Sequence, residues 1–230
     1  MKTIPLLPPF KQIQRFERRI GKIKNRFFSM NKWLAFSIIF FGLFGVYLAI
    51  NQIPMYRFAY QLNAIEKRIP FLPWSFTIYF SIFLQIAIVI HRSSQKLFRE
   101  LIGILIPLVI LYFILFLSLP LRYPAENYPS DNSFICSLRK IDVGNCYPSL
   151  HVALTIIFSF AYGYIQKQRK LRILMWMWSL LIILSVLTTK QHYLLDVVAS
   201  IVLTIVWWIR WGIPKTVDRY YQYLEARYSS

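Results

Sequence analysis

The chain has 230 residues, of which 57% are hydrophobic and 18% aromatic, and it carries a formal charge of +18. An apolar share above the roughly 50% usual for soluble domains excludes one water-soluble domain and makes a bilayer the expected solvent. Because the basic residues punctuate apolar runs rather than forming one polar face, no nucleic acid partner is expected, and anionic lipid headgroups are the simpler counterpart.

In chain order, residues 1–32 come first as a cytoplasmic basic amphipathic segment. Phe10, Ile13, Phe16, Ile20, Ile23 and Phe27 recur every three or four residues, with Lys11, Arg15, Arg18, Arg19, Lys22, Lys24 and Arg26 between them. That period predicts a helix lying on the membrane surface, with packing on another protein as the alternative. No apolar core precedes a small-residue cleavage site, so no cleavable signal peptide is expected there. Six runs then follow that are long and apolar enough to cross about 30 Å of hydrocarbon, which takes about 17 to 25 helical residues. They lie near Trp33 to Ile53, Phe71 to Ile90, Leu101 to Leu119, Ser149 to Ile165, Leu171 to Thr188 and Tyr193 to Trp211. The expected fold is all-α: a six-transmembrane-helix bundle over residues 33–211 with a basic amphipathic N-terminal helix, closed by a cytoplasmic tail over 212–230.

Short cytoplasmic loops are enriched in Lys and Arg. With both termini inside, 20 of the 27 basic residues fall on the cytoplasmic side and 7 outside. This orientation places the longest loop, Pro120 to Pro148, on the outer side with both cysteines, Cys136 and Cys146. An oxidising compartment would allow a disulfide there, while a zinc site lacks the usual ligand spacing.

Of nine acidic residues, Asp196 alone is placed inside a spanning run, where an unpartnered carboxylate costs about 2.5 to 3.5 kcal/mol on insertion scales. His192 precedes it by four residues, so the expectation is that both share one face at the outer end of the sixth helix. A carboxylate on one imidazole nitrogen fixes the tautomer and leaves the other to attack or bind; a structural hydrogen bond is the plainer reading of the pair. His151 falls at the outer start of the fourth helix, after Pro148 and Ser149, and Ser149 reads as its N-cap beside an anion-binding helix start. Arg122 and Lys190 face the same side, either as phosphate-binding cations or as interfacial anchors. His91 sits at the opposite membrane end and receives no role. Two histidines, one acid and two cations at one depth suit phosphoryl transfer without a metal or other cofactor, there being no carboxylate cluster for magnesium.

Pro148-Ser149-Leu150-His151 followed by His192-Tyr193-Leu194-Leu195-Asp196 resembles the type 2 phosphatidic acid phosphatase superfamily, which pairs Pro-Ser-x-His with a later His-x-x-x-Asp. The likeness covers roughly residues 118 to 200. Cys146-Tyr147-Pro148-Ser149-Leu150-His151-Val152 and Thr188-Thr189-Lys190-Gln191-His192-Tyr193 look most like the inositol phosphorylceramide synthase branch. The resemblance implies catalytic His192 as nucleophile, Asp196 orienting it, and His151 as general acid and then base. It further implies Ser149, Arg122 and Ser185 as phosphate-binding residues of a membrane lipid phosphatase or headgroup phosphotransferase, with residues 33–211 as its catalytic domain. Leu115 stands where the family's first motif has Lys, Tyr123 separates Arg122 from Pro124, and Val186 replaces the Arg after Ser185, so Lys190 is the substitute cation. Hydrolysis and transfer both remain open on this reading.

The substrate expected is therefore a membrane lipid phosphate or phosphodiester, with no protein partner implied. The site would face the periplasm, exterior or an organelle lumen, the cell membrane being the expected location. The alternative of another class is a transporter or non-catalytic lipid-binding protein with His192 and Asp196 as a proton relay. Neither repeat symmetry nor broken helices speak for it in the sequence.

Overall fold

The structure is a computed structural model that describes residues 30–53, 58, 61–122, 135–136 and 147–213. The amphipathic helix expected near residues 10–27, Cys146 with its pairing to Cys136, and the tail beyond residue 213 lie outside that range. The described residues are helical apart from loops and one bridge between Phe58 and Leu121.

Two compact units divide the chain, Met1–Gly42 and Leu43–Ser230. What is described of the first is the start of helix α1 (Lys32–Gln52), where the Asn31 side chain accepts from the Trp33 N–H at 2.8 Å. Apolar residues cover α1 on all sides, and Phe41 is 67% exposed, which suits a helix solvated by lipid rather than water.

In the second unit the short helix α2 (Ala64–Arg68) is nucleated by a capping box. Asn63 accepts from the Glu66 N–H at 2.9 Å, and the Glu66 carboxylate accepts from the Asn63 N–H at 2.8 Å. A 3-10 turn with Pro73 at its first position leads into α3 (Phe76–Phe80) and α4 (Ile82–Arg92), one apolar run interrupted at Ser81. Ser81 donates to the Ile78 carbonyl and accepts from the Trp178 indole N–H, so the break is held by side chains. Helix α5 (Gln95–Ser118) starts at the Ser94 cap and tolerates Pro107 within it. Then follow α6 (Leu150–Ile165), α7 (Arg169–Thr188) and α8 (Leu194–Trp211).

Helix α6 is the hub, packed against α4, α5, α7 and α8. Its Val152, Ala153, Ile157 and Ala161 are buried, and the small alanines let neighbouring backbones approach. Lipid gives no net drive for apolar helices to associate, so polar glue is needed. Gln85 on α4 supplies it: its amide donates to Ser179 on α7 at 2.7 Å and Ser159 on α6 at 3.1 Å, and its carbonyl accepts from Thr155 at 2.6 Å. On the other flank Trp207 of α8 donates to the Ile104 carbonyl of α5.

Among the described residues five runs are long and apolar enough to span: α1, Pro73–Arg92, α5, α7 and α8. Helix α6 has 16 residues, about 24 Å at 1.5 Å per residue, short of the roughly 30 Å core. By length and composition the described residues thus supply five candidate spans and one shorter apolar helix where six spans were expected. Surrounded by four helices, α6 has its length set by packing more than by lipid. Helix α5 also begins six residues before the expected run and takes in Glu100, so Asp196 is not the only acid on a long apolar helix.

Candidate active site

Helix α8 begins at Leu194, so His192 stands in the turn before it and not on its face. The expectation of a shared helical face is corrected on that point, yet the two side chains still meet. Asp196 occupies the third helical position and reaches back: Oδ2 accepts from the Tyr193 N–H at 2.8 Å and lies 3.4 Å from His192 Nδ1. One carboxylate oxygen thus closes the first turn and faces the imidazole. Both residues are buried, Asp196 completely.

The turn carrying His192 is set from both sides by the segment 63–75. Lys190, two residues before it, has φ 57°, a left-handed conformation costing a side-chain-bearing residue roughly 1 to 2 kcal/mol. Its buried ammonium donates to the carbonyls of Glu66 at 3.0 Å and Ile69 at 2.7 Å, which offsets that strain. Burial pushes the ammonium pKa below the usual lysine range, and the Glu66 carboxylate pulls the other way. Two residues after His192, the Leu194 N–H donates to Glu66 Oε1 at 2.6 Å. Thr188 adds a bond to Ser75, and its carbonyl accepts from Leu72.

Glu66 therefore joins two loops 128 residues apart. Glu66→Ala leaves the Leu194 and Asn63 N–H groups without that acceptor, at about 1 to 3 kcal/mol for each that stays buried. The thermal midpoint in detergent should fall clearly, with Glu66→Gln recovering part of the loss; an unchanged midpoint in the alanine variant would show that the clamp contributes nothing.

Ser149 is the N-cap of α6, its Oγ accepting from the Val152 N–H at 3.4 Å. Helix α8 holds it in place, since the Ser200 hydroxyl donates to the Ser149 carbonyl at 2.8 Å and the Ser149 N–H points to the Asp196 carbonyl at 3.4 Å. The start of α6 is thereby keyed to the turn of α8 that bears Asp196. His151 follows two residues later, half-buried, on the first turn of the helix that Ser149 caps. The Tyr79 hydroxyl lies 3.1 Å from His151 Nδ1 and the two rings stack at 4.0 Å. Val152, Val197, Val186 and Tyr79 share one apolar cluster beneath. Ser149→Ala should cost about 1 kcal/mol of stability through the lost cap, read as a modest fall in the unfolding midpoint.

The other expected phosphate ligands are placed less directly. Arg122 is exposed; its backbone N–H donates to Phe58, and its neighbour Leu121 packs with Leu62 against Tyr193, which puts Arg122 at the same end of the bundle. Ser185 is buried, donates to the Ile182 carbonyl, and through its own carbonyl accepts from Thr189, so it shapes the end of α7. Lys190 Nζ faces the carbonyls already named. Sequence reasoning missed Glu66, Tyr79 and Ser200. The Asn63-x-x-Glu66 spacing was a readable cap signal, whereas nothing local marks Tyr79.

Neither the curated proteins nor the solved structures contain a match to this chain. A family model described as PAP2 superfamily matches residues 69–209, more than half of the chain, from α3 through most of α8 and with His151, His192 and Asp196. With that match and this geometry, the chain belongs to the PAP2 superfamily.

Proposed function

We propose that the protein is a phosphatidic acid phosphatase-type phosphoesterase or headgroup phosphotransferase that acts on a membrane lipid through a phosphohistidine at His192. The observation that carries this reading is the Asp196 carboxylate against His192 Nδ1, in a turn keyed to the cap of the helix that bears His151. Membership of the superfamily points to phosphatase or phosphotransferase chemistry on lipid-type substrates.

A carboxylate accepts only, so the proton of the neutral imidazole stays on Nδ1 and the lone pair on Nε2. Nε2 attacks phosphorus and a P–N bond forms as the P–O bond to the leaving group breaks. Protonated His151 gives its Nε2 proton to the departing oxygen. The same nitrogen then takes a proton from water or an alcohol, whose oxygen attacks phosphorus and releases His192. Ser149, the N–H groups at the start of α6 and Arg122 hold the phosphoryl oxygens, while Lys190 and Ser185 fix the turn behind them. Residues 33–211 make up the catalytic domain. The basic-residue asymmetry supports a site on the non-cytoplasmic side with both termini inside. The Tyr147 to Val152 and Thr188 to Tyr193 segments support the inositol phosphorylceramide synthase-like branch, and with it diester exchange.

Purified protein offered phosphatidic acid, a prenyl diphosphate, and a phosphodiester lipid with an alcohol acceptor tests the proposal. Phosphate release or headgroup exchange is expected from at least one, lost in His192→Ala and strongly reduced in His151→Ala. Failure of the wild-type protein on every lipid overturns the reading in favour of lipid binding or transport.

A further inference from the structure

The two imidazoles meet partners of different charge through the same ring atom. His192 presents Nδ1 to a carboxylate, and His151 presents Nδ1 to the neutral phenol of Tyr79. We infer that Tyr79 is the positioning residue of the acid–base histidine, its oxygen accepting from His151 Nδ1–H so that Nε2 alone exchanges protons with the substrate. This inference rests on the phosphoryl-transfer reading above and assigns a partner to the second histidine.

The proton balance requires this direction. A histidine that donates at Nε2 and ends neutral must keep its other proton on Nδ1, and that proton needs an acceptor. Were the phenol to donate instead, loss of the Nε2 proton would leave an imidazolate, which a neutral phenol does not offset. A neutral acceptor also fits the role better than a carboxylate would. It orients the ring without adding negative charge that would hold the proton back, whereas Asp196 supplies that charge to His192 as the P–N bond forms.

Packing fixes the geometry further. The Tyr79 ring stacks on His151 at 4.0 Å and 24° between planes, which fixes the plane of the imidazole, while the contact of the phenol with Nδ1 fixes which edge it presents. Tyr79 is itself held edge-on by Phe76 at 5.9 Å and Phe80 at 5.1 Å. Its helix, α3, is moored to the His192 turn through Ser75 and Thr188. The acid–base ring and the nucleophile are thus aligned by one scaffold.

Tyr79→Phe keeps the stack and removes the acceptor. On a lipid ester with a poorly leaving alkoxide, single-turnover cleavage is expected to slow about 10- to 100-fold, the worth of a hydrogen bond to a charged ring. On a nitrophenyl phosphoester, whose leaving group needs no proton, release of nitrophenolate in the first turnover should change by less than about threefold. The ratio of the two rates does not depend on how much of the variant is folded, so misfolding cannot mimic it. In a His151→Ala background, Tyr79→Phe should add almost nothing, because the ring it acts through is gone. Equal slowing on both substrates, or a full additional loss in the His151→Ala background, would overturn the assignment. A wild-type protein inactive on both esters defeats the parent reading instead, a result separable from either of those.

Discussion

Alanine in place of His192 is expected to lower turnover by on the order of 10³-fold or more and to leave the protein without a covalent phosphoryl label. Among the described residues named at this end of the bundle, none of the others combines a lone pair held in place with a carboxylate partner. Ser149 uses its oxygen to cap α6, and Lys190 Nζ is turned toward the Glu66 and Ile69 carbonyls. His151 stacks on Tyr79 and faces a neutral hydroxyl. The label is read after brief reaction with a phosphorus-labelled lipid and an alkaline quench, since a P–N bond survives base and breaks in acid. Wild-type protein should carry acid-labile label, and His151→Ala should also carry it, formed more slowly. Label of equal strength on His192→Ala would move the nucleophile elsewhere. The variant also takes away one of two groups facing a fully buried carboxylate, so a moderate fall in the unfolding midpoint should accompany the kinetic loss.

Hydropathy made most of the helices legible, because a run of apolar residues about 30 Å long is a direct imprint of the bilayer. It failed where hydrogen bonding outruns hydrophobicity. Helix α5 starts at the Ser94 cap, through Gln95, Lys96, Arg99 and Glu100, since a helix continues into the headgroups as long as its first N–H groups are satisfied. The break at Ser81 was hidden because it depends on Trp178, nearly a hundred residues away. For the site, spacing brought His192 and Asp196 together for a partly wrong reason. Four residues along a helix would align them, but the pair meets because Asp196 folds back to cap Tyr193 while Lys190 turns left-handed ahead of it. The Asn63-x-x-Glu66 spacing signals a helix cap but not the reach of Glu66 to Leu194, and nothing local marks Tyr79; each acts on a segment more than seventy residues distant, and such contacts leave no local pattern.

Asparagine at position 196 is expected to reduce turnover by about 10²- to 10⁴-fold with the fold nearly intact, which separates the two tasks of this side chain. As a cap, Asp196 needs only one acceptor oxygen for the Tyr193 N–H, and an asparagine carbonyl can supply it. As a partner of His192 it needs negative charge. With the asparagine oxygen toward Tyr193, that oxygen still touches Nδ1–H but no longer offsets the positive charge that grows on the ring as phosphorus binds Nε2. With the amide group reversed, its N–H faces Nδ1, drives the ring proton to Nε2 and removes the lone pair from the attacking position. Aspartate Oδ1 has no hydrogen-bond partner among the described residues, so the second amide position meets no donor that would clash with it. Both arrangements predict a fall in kcat with KM changed little; the reversed one sets its N–H against the Tyr193 N–H and gives up the cap, so the first is favoured and holds the unfolding midpoint within a few degrees of wild type. Asp196→Ala should lose the same activity and, lacking the cap, unfold at a lower temperature by the equivalent of about 1 kcal/mol. If Asp196→Asn keeps activity within tenfold of wild type while Asp196→Ala is unstable, the carboxylate is a helix cap alone, and another group must hold the His192 proton.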